Sequence, residues 1–465
     1  MKRTSATRLF TRVDTFIPIH LVPPSIVVLS GLLLLFSGGV RLLASDRDSP
    51  KRPDRHESSP SGIAPPQDEE SPPEAAPGQH ANAKSVWQGR VQKFGEKTLR
   101  RYEDFNYEGF YPRLDWIAPR SGPAGGARYW KPDAIGPVDV MGAAFYSWRR
   151  YQLYSFKIGM IPHRGEHIPP ETLETESIEQ LGDIDRSGFS KLKLYGAARY
   201  RDRTDDLFYG SGPASKRSDR RSYGVKDATG EGAVGYQFTN HFGFTVKAGY
   251  TEYSLACGRS SPNLCEFPPS PSLSGTRNPP NYFRLETSIL VDFRDEVGIP
   301  HRGFMAAAGW TKWDNVNAGN EFNFNQFSTD VRGYLPLSAN KHVIALRGVL
   351  IDEDPGATDR VPFFLQPTLG GSNSLRGYDT LRFQGDKAMW FQAEYRWDVF
   401  GPFGVAIFGD TGTVANRGSR LSLDKLKSDW GFGFRILGSR RVLLRVDEAF
   451  SNEGAHTQFR MAAAF

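Results

Sequence analysis

The residues best placed for specific chemistry lie in the last quarter of the chain. GGSNSLRGYDT (370–380) sets Arg376, Gly377 and Tyr378 on a segment that also carries Gly370 and Gly371. Glycines allow a backbone to turn tightly and to approach other structure closely. An arginine on such a segment needs carboxylate partners if it folds inside, because an unpaired buried charge is very costly. The next two apolar-alternating segments supply candidates. In AMWFQAEYRWDVF, Glu394 lies on the charged face, opposite Phe391 and Tyr395. In PFGVAIFGDTGTV, Asp410 and Gly412 fall opposite Phe403, Val405 and Ile407. The chemistry this offers is charge-assisted pairing, bidentate where the guanidinium fork meets a carboxylate.

Bond-making chemistry has no comparable candidates. The sequence holds no HExxH, GxSxG or P-loop, and its nine His and two Cys form no cluster with metal-ligand spacing. No catalytic residue, metal or cofactor is expected, and the chain is not read as an enzyme. Cys257 and Cys265 bracket the short loop CGRSSPNLC, which in an exported protein points to one disulfide pinning that loop. The net charge of +6 comes from 58 Lys and Arg against 52 Asp and Glu, scattered along the chain, which argues against nucleic acid as a partner.

The elements that must position Arg376 and its partners are strands. In KLKLYGAARYR (191–201), Leu192, Leu194, Ala198 and Tyr200 alternate with Lys191, Lys193, Arg199 and Arg201. In YFRLETSILVDFR (282–294), Phe283, Leu285, Ile289, Val291 and Phe293 share one face and Arg284, Glu286, Asp292 and Arg294 the other. Successive strand side chains point to opposite faces, so each segment has one apolar and one charged face. A soluble sandwich also alternates, but its strands are usually shorter. Strands of roughly 10–13 residues are long enough to cross a bilayer at a tilt. The composition agrees: 39 % hydrophobic residues, 13 % aromatics and 48 Gly suit a barrel with a polar inside and a lipid-facing outside.

The expected fold is therefore all-β, a transmembrane antiparallel barrel of about 16 strands with a long loop folded into its lumen. Strands are expected to start near residues 109, 125, 138, 151, 190, 230, 242, 282, 303, 323, 341, 388, 402, 428, 440 and 456. Trp310, Trp313, Tyr334, Trp397, Phe400 and Phe403 are read as interfacial girdles. Short turns (238–241, 297–302, 338–341, 400–402) alternate with long loops (255–281, 352–387), as on the two rims of an outer-membrane barrel. The stretch 163–189 is long for its place on the short-turn rim.

Ahead of the barrel (106–465), residues 1–45 read as a signal peptide, with a basic start and the apolar run IVVLSGLLLLFSGGV; the alternative is an uncleaved inner-membrane anchor. Residues 46–105 read as a disordered Pro-rich linker, with 84–105 either a weak amphipathic helix or more linker. At the other end, HTQFRMAAAF alternates through Phe459, Met461 and Phe465. This resembles the C-terminal signal by which outer-membrane barrels are recognised for insertion; the alternative is a closing strand that happens to end in Phe.

LRGY (375–378) resembles the (V/I)RG(F/Y) motif of the BamA and TamA superfamily, which includes the two-partner secretion transporters. FGDTGTV (408–414) matches that superfamily's FxDxGxV strand motif at every fixed position. The resemblance covers roughly residues 109–465, is most specific over 364–465, and extends to FYGSGPASKRSDRRSY (208–223). It implies that the sixth extracellular loop returns into the lumen and that Arg376 is locked to Asp410 and Glu394. Leu375 departs mildly from the motif. The stretch 46–108 is too short and too polar for the periplasmic POTRA domains of the well-studied members, which tells against a full assembly machine.

The resemblance implies a bacterial outer-membrane barrel, embedded in outer-membrane lipid, that assists insertion or translocation of unfolded or secreted client proteins, or of lipids. The alternative is a passive pore or a structural surface antigen.

Overall fold

A computed structural model describes residues 108–160, 191–267, 273–317, 319, 321–338, 341–438, 442–461 and 463–465. The signal peptide, the linker and the long turn at 163–189 expected from the sequence lie outside these residues.

Alternation of apolar and polar side chains produces a succession of antiparallel strands. The first five are β1 (Gly109–Trp116), β2 (Pro123–Ile135), β3 (Val138–Ser147), β4 (Gln152–Met160) and β5 (Leu192–Phe208). Next come β6 (Arg221–Thr239), β7 (Phe242–Cys257), β8 (Tyr282–Asp292), β9 (Gly303–Asn315), β10 (Phe324–Ser338) and β11 (His342–Pro355). Two short pieces, β12 (Thr368–Leu369) and β13 (Phe383–Gln384), lie within the following loop. The wall then resumes with β14 (Lys387–Phe400), β15 (Phe403–Ala415), β16 (Lys427–Leu437), β17 (Val442–Ser451) and β18 (Gly454–Arg460).

Without β12 and β13 these make a sixteen-stranded wall in which each strand pairs with the next, from β1 to β9 and from β10 to β18. The two runs meet where β9 lies beside β10. The Arg460 guanidinium of β18 sits 5.7 Å from the Trp116 ring of β1. Up-and-down order puts every second connection on the same rim. The short turns at 240–241 and 401–402 share one rim, and the loops that follow β7, β11 and β15 share the other.

Along β8 the burial pattern alternates strictly, with Arg284, Glu286, Ser288 and Asp292 inside and Phe283, Leu285 and Ile289 outside. The interior is filled by its own charges. Lys247 meets Glu286 at 3.2 Å, Arg284 meets Glu231 at 3.0 Å, and Asp330 is shared between Arg332 and Arg347 at 2.7 Å each. Under the long-loop rim the filling becomes aromatic: Trp313 stacks on Phe324 and meets Tyr282 edge-on, with Phe363 and Phe364 of the loop packed into the same cluster.

Several sequence expectations need correction. Trp313 and Tyr334, expected at the membrane interface, are both 1 % exposed and face inward. Trp310 and Trp313 are an odd number of residues apart on one strand, so the pleat sends them to opposite faces. Strand β6 begins at 221, not near 230. Its first residues are buried on both faces, since the extension rises above the lipid-facing band under the loops, and the alternation that marks a strand is lost there. Phe465 does not continue the lipid-facing row. Strand β18 ends at Arg460, and Phe465 turns inside against Tyr334, Val343 and Ala345, its main-chain oxygen accepting from Arg396 Nη2 at 3.1 Å.

At the short-turn rim the β8–β9 turn reaches across to β14. His301 Nε2 lies 3.2 Å from Asp398 Oδ2, and this bond, outweighing the opposing effect of burial, raises the imidazole above its ordinary value of 6.5. A raised folded-state value means that the stabilisation is complete below 6.5 and is lost as pH rises through that folded-state value. His301→Gln should therefore lower the urea midpoint of detergent-folded protein at about pH 5.5, and the gap to wild type should close by about pH 8.5. A gap that is constant with pH would show that the imidazole contributes only packing.

Candidate functional site

The loop between β11 and β14 enters the lumen as a small hairpin. Its stem is the β12–β13 pairing, Thr368 with Gln384 and Leu369 with Phe383. Above the stem, Gly371 N donates to the Leu375 and Tyr378 carbonyls at 3.0 and 3.1 Å. Gly370 holds φ +115°, and a Cβ there would come 2.1 Å from the Asp379 carbonyl oxygen, so only glycine fits. Leu375 is fully buried among Val349, Ile351, Trp390 and Val414, which seats the hairpin against the wall.

That seating delivers Arg376 to the charged faces of three strands. Nε and Nη2 donate to Asp410 Oδ2 and Oδ1, both at 2.7 Å, in a bidentate fork. Nη1 bonds Glu394 Oε1 and also reaches Asp447 Oδ2 at 3.3 Å. All four side chains are 0 % exposed. The guanidinium lies 3.5 Å from the centroid of the Phe408 ring, which serves as an aromatic floor. Gly377, directly after Arg376, runs so close to β16 that a Cβ would meet Asp429 Cβ at 2.5 Å.

The partner carboxylates are themselves held. Glu394 receives Arg396 Nε at 2.7 Å and Arg435 Nη2 at 2.9 Å. Asp447 Oδ2 is ion-paired with Arg445, whose Nε lies 3.2 Å away. The site is thus a buried set of alternating charges in which removal of Arg376 takes a cationic partner from three carboxylates at once. Tyr378 extends the hairpin's hold, its hydroxyl donating to the Ser428 carbonyl of β16 or to Asn452 Oδ1 in the turn after β17. Burial, and after it the nearby Asp429 and Glu453 carboxylates, push this phenol up to about 12, so it stays a neutral donor.

Of the residues picked from sequence, Arg376, Gly377, Tyr378, Glu394 and Asp410 come together here. Gly412 lies two residues along β15, where a Cβ would strike the Met389 carbonyl at 2.7 Å. Phe459 and Met461 face outward, and Phe465 does not join them. Cys257 and Cys265 are joined at the end of β7, away from the latch. Asp447 was missed, although in VLLRVDEAF it shares strand parity with Arg445, the signal that marked Glu394 and Asp410. Among the described residues no group of three or more His, Cys, Asp or Glu is arranged to hold a metal ion.

A family model described as the Omp85 superfamily domain matches residues 190–462, more than half of the chain. No curated protein matches the sequence. Among solved structures, BamA from Haemophilus ducreyi lacking POTRA domains 1–3 is similar at 15 % identity and a TM-score of 0.50, over 82 % of this chain and 77 % of that one. CdiB from Escherichia coli is similar at 10 % identity and a TM-score of 0.46, over 75 % of this chain and 61 % of that one. CdiB from Acinetobacter baumannii is similar at 11 % identity and a TM-score of 0.42, over 72 % and 56 %.

Removing one partner from a buried charge set costs about 3–5 kcal/mol. Arg376→Ala should lose stability of that order in urea unfolding of the detergent-folded barrel. Asp410→Asn should cost more than Asp447→Asn, because Asp410 takes two short bonds from Arg376 and Asp447 takes one long one from it. Equal losses at the two positions would refute this ranking.

Proposed function

This chain belongs to the Omp85 superfamily, and we propose that it assists the insertion or translocation of proteins, or of lipids, at the bacterial outer membrane. The observation that carries the reading is the latch. A loop hairpin occupies the lumen and is held by a buried guanidinium among Asp410, Glu394 and Asp447. On this reading the long-loop rim faces the exterior and the short-turn rim the periplasm.

The mechanism follows from two features of the barrel. The hairpin fills the lumen at the level of Arg376, so passage requires that it move. The first and last strands, β1 and β18, are short, and Pro112 in the middle of β1 has no N–H to donate. A seam with unsatisfied backbone groups is a natural template for an added strand. A client segment would pair there while the loop yields inside. The passive alternative requires a lumen that conducts steadily, and the paired side chains filling this one weigh against it.

The test uses proteoliposomes containing the full chain, wild type or Arg376→Ala, to which a urea-unfolded outer-membrane barrel is added. Protease-protected folding of that client should be faster than in empty liposomes and should fall back in the variant. No acceleration by properly folded wild type would replace the proposal with a surface-antigen or pore role.

A further inference from the structure

Six residues beyond Arg376 the same hairpin carries a second buried arginine. Arg382 is 3 % exposed. Its Nε lies 3.0 and 2.8 Å from the two Glu453 carboxylate oxygens, and Nη2 lies 2.7 Å from Oε1. On its other side Nη2 donates to the Ser215 carbonyl at 2.8 Å and Nη1 to Ser215 Oγ at 3.0 Å. The Tyr209 and Phe383 rings flank it at 5.1 and 4.6 Å. Leu381, immediately before it, holds φ +63°, a left-handed conformation that a leucine adopts only where its surroundings enforce it.

Glu453 sits in the turn between β17 and β18, and Ser215 in the loop between β5 and β6 (209–220). One guanidinium therefore ties three segments together over the lumen. The β5–β6 loop is docked further by Gly212 N on the Gln384 carbonyl at 2.6 Å, and by Arg217 on Asp379 Oδ2 at 2.9 Å and on the Glu453 carbonyl at 3.1 Å. The hairpin also grips the last two strands from inside. Ser451 Oγ donates to the Gly377 carbonyl at 2.5 Å, Gln458 Nε2 to the Arg376 carbonyl at 3.3 Å, and Arg460 Nε to Ser372 Oγ at 2.5 Å.

We propose that Arg382 is a positioning residue that couples the lumen latch to the terminal strand β18 through Glu453. Withdrawal of the hairpin then frees the β17–β18 turn, and movement of that turn loosens the hairpin. The FYGSGPASKRSDRRSY segment acts as the outer bolt of this lock, since its Ser215 completes the guanidinium's set of acceptors. This deepens the insertase or translocase reading and rests on it for its use, but the coupling can be measured without any client.

The experiment is amide hydrogen exchange on the full chain in nanodiscs. Arg382→Gln and Glu453→Gln should each accelerate exchange over residues 454–460 by about tenfold, with residues 387–415 unchanged because Arg376 still holds them. Arg417→Gln is the comparison. Its guanidinium binds the Gly356, Ala357 and Asp359 carbonyls on the same rim without touching the β17–β18 turn, and it should leave 454–460 as in wild type. Unchanged exchange over 454–460 in the first two variants would overturn the proposal, as would equal acceleration in Arg417→Gln. If Arg382→Gln does not fold, Glu453→Gln decides. A barrel that shows the coupling yet fails to assist a client would keep the lock and remove the proposed function.

Discussion

A guanidinium cannot shed its charge, so a fold that buries one must bury carboxylates around it in matching geometry. That single requirement at Arg376 organises much of this barrel. It fixes the parity of β14, β15 and β17, since Glu394, Asp410 and Asp447 must all turn inward at one level. It demands a hairpin thin enough to reach that level, hence the glycines at 370, 371 and 377. The partner carboxylates bring further arginines, Arg396, Arg435 and Arg445, so the requirement spreads across the wall as an alternating set.

The interior as a whole follows the same rule. A pleated wall with one lipid-facing side must put its polar residues on the other, and a closed lumen gives them little water. Self-pairing is the available solution: Glu286 with Lys247 applies it on other strands, and Asp330 with Arg332 and Arg347 applies it beside the latch, where Arg347 also donates to the Asn373 carbonyl of the hairpin. One consequence concerns motion. A member of such a set cannot leave singly without stranding its partners, so displacement of the hairpin has to be concerted or compensated by an incoming group.

Period-two alternation made most of this legible in the sequence. Strand starts in the second half fall within two residues of those expected, and the pairing of Arg376 with Glu394 and Asp410 needed only parity and charge. The misreadings have specific physical origins. Trp313 and Tyr334 were assigned by type, as interfacial aromatics, against the pleat that sends them inward. Strand β6 hid its first residues because both faces are covered there. Phe465 was extrapolated along a strand that stops at Arg460. Arg382 left no local trace, because its partners lie 71 and 167 residues away in loops without periodicity.

The hairpin's anchors differ in what they can change. Strands β14 and β15 are laddered on both sides, so Arg376 adds to walls that are already fixed. Strand β18 spans seven residues and ends its sheet, pairing with β17 along one edge. For a strand so placed, the inward bonds from Gln458 and Arg460 and the grip on Glu453 are a large part of all that holds it. Equal bonds therefore have unequal effects. On the mid-wall strands they lock the loop to the barrel, while on the terminal strand they lock the barrel's edge to the loop. A loop that reaches both at once makes the state of the lumen and the state of the seam depend on each other, which is the property a barrel that admits clients through its wall would need.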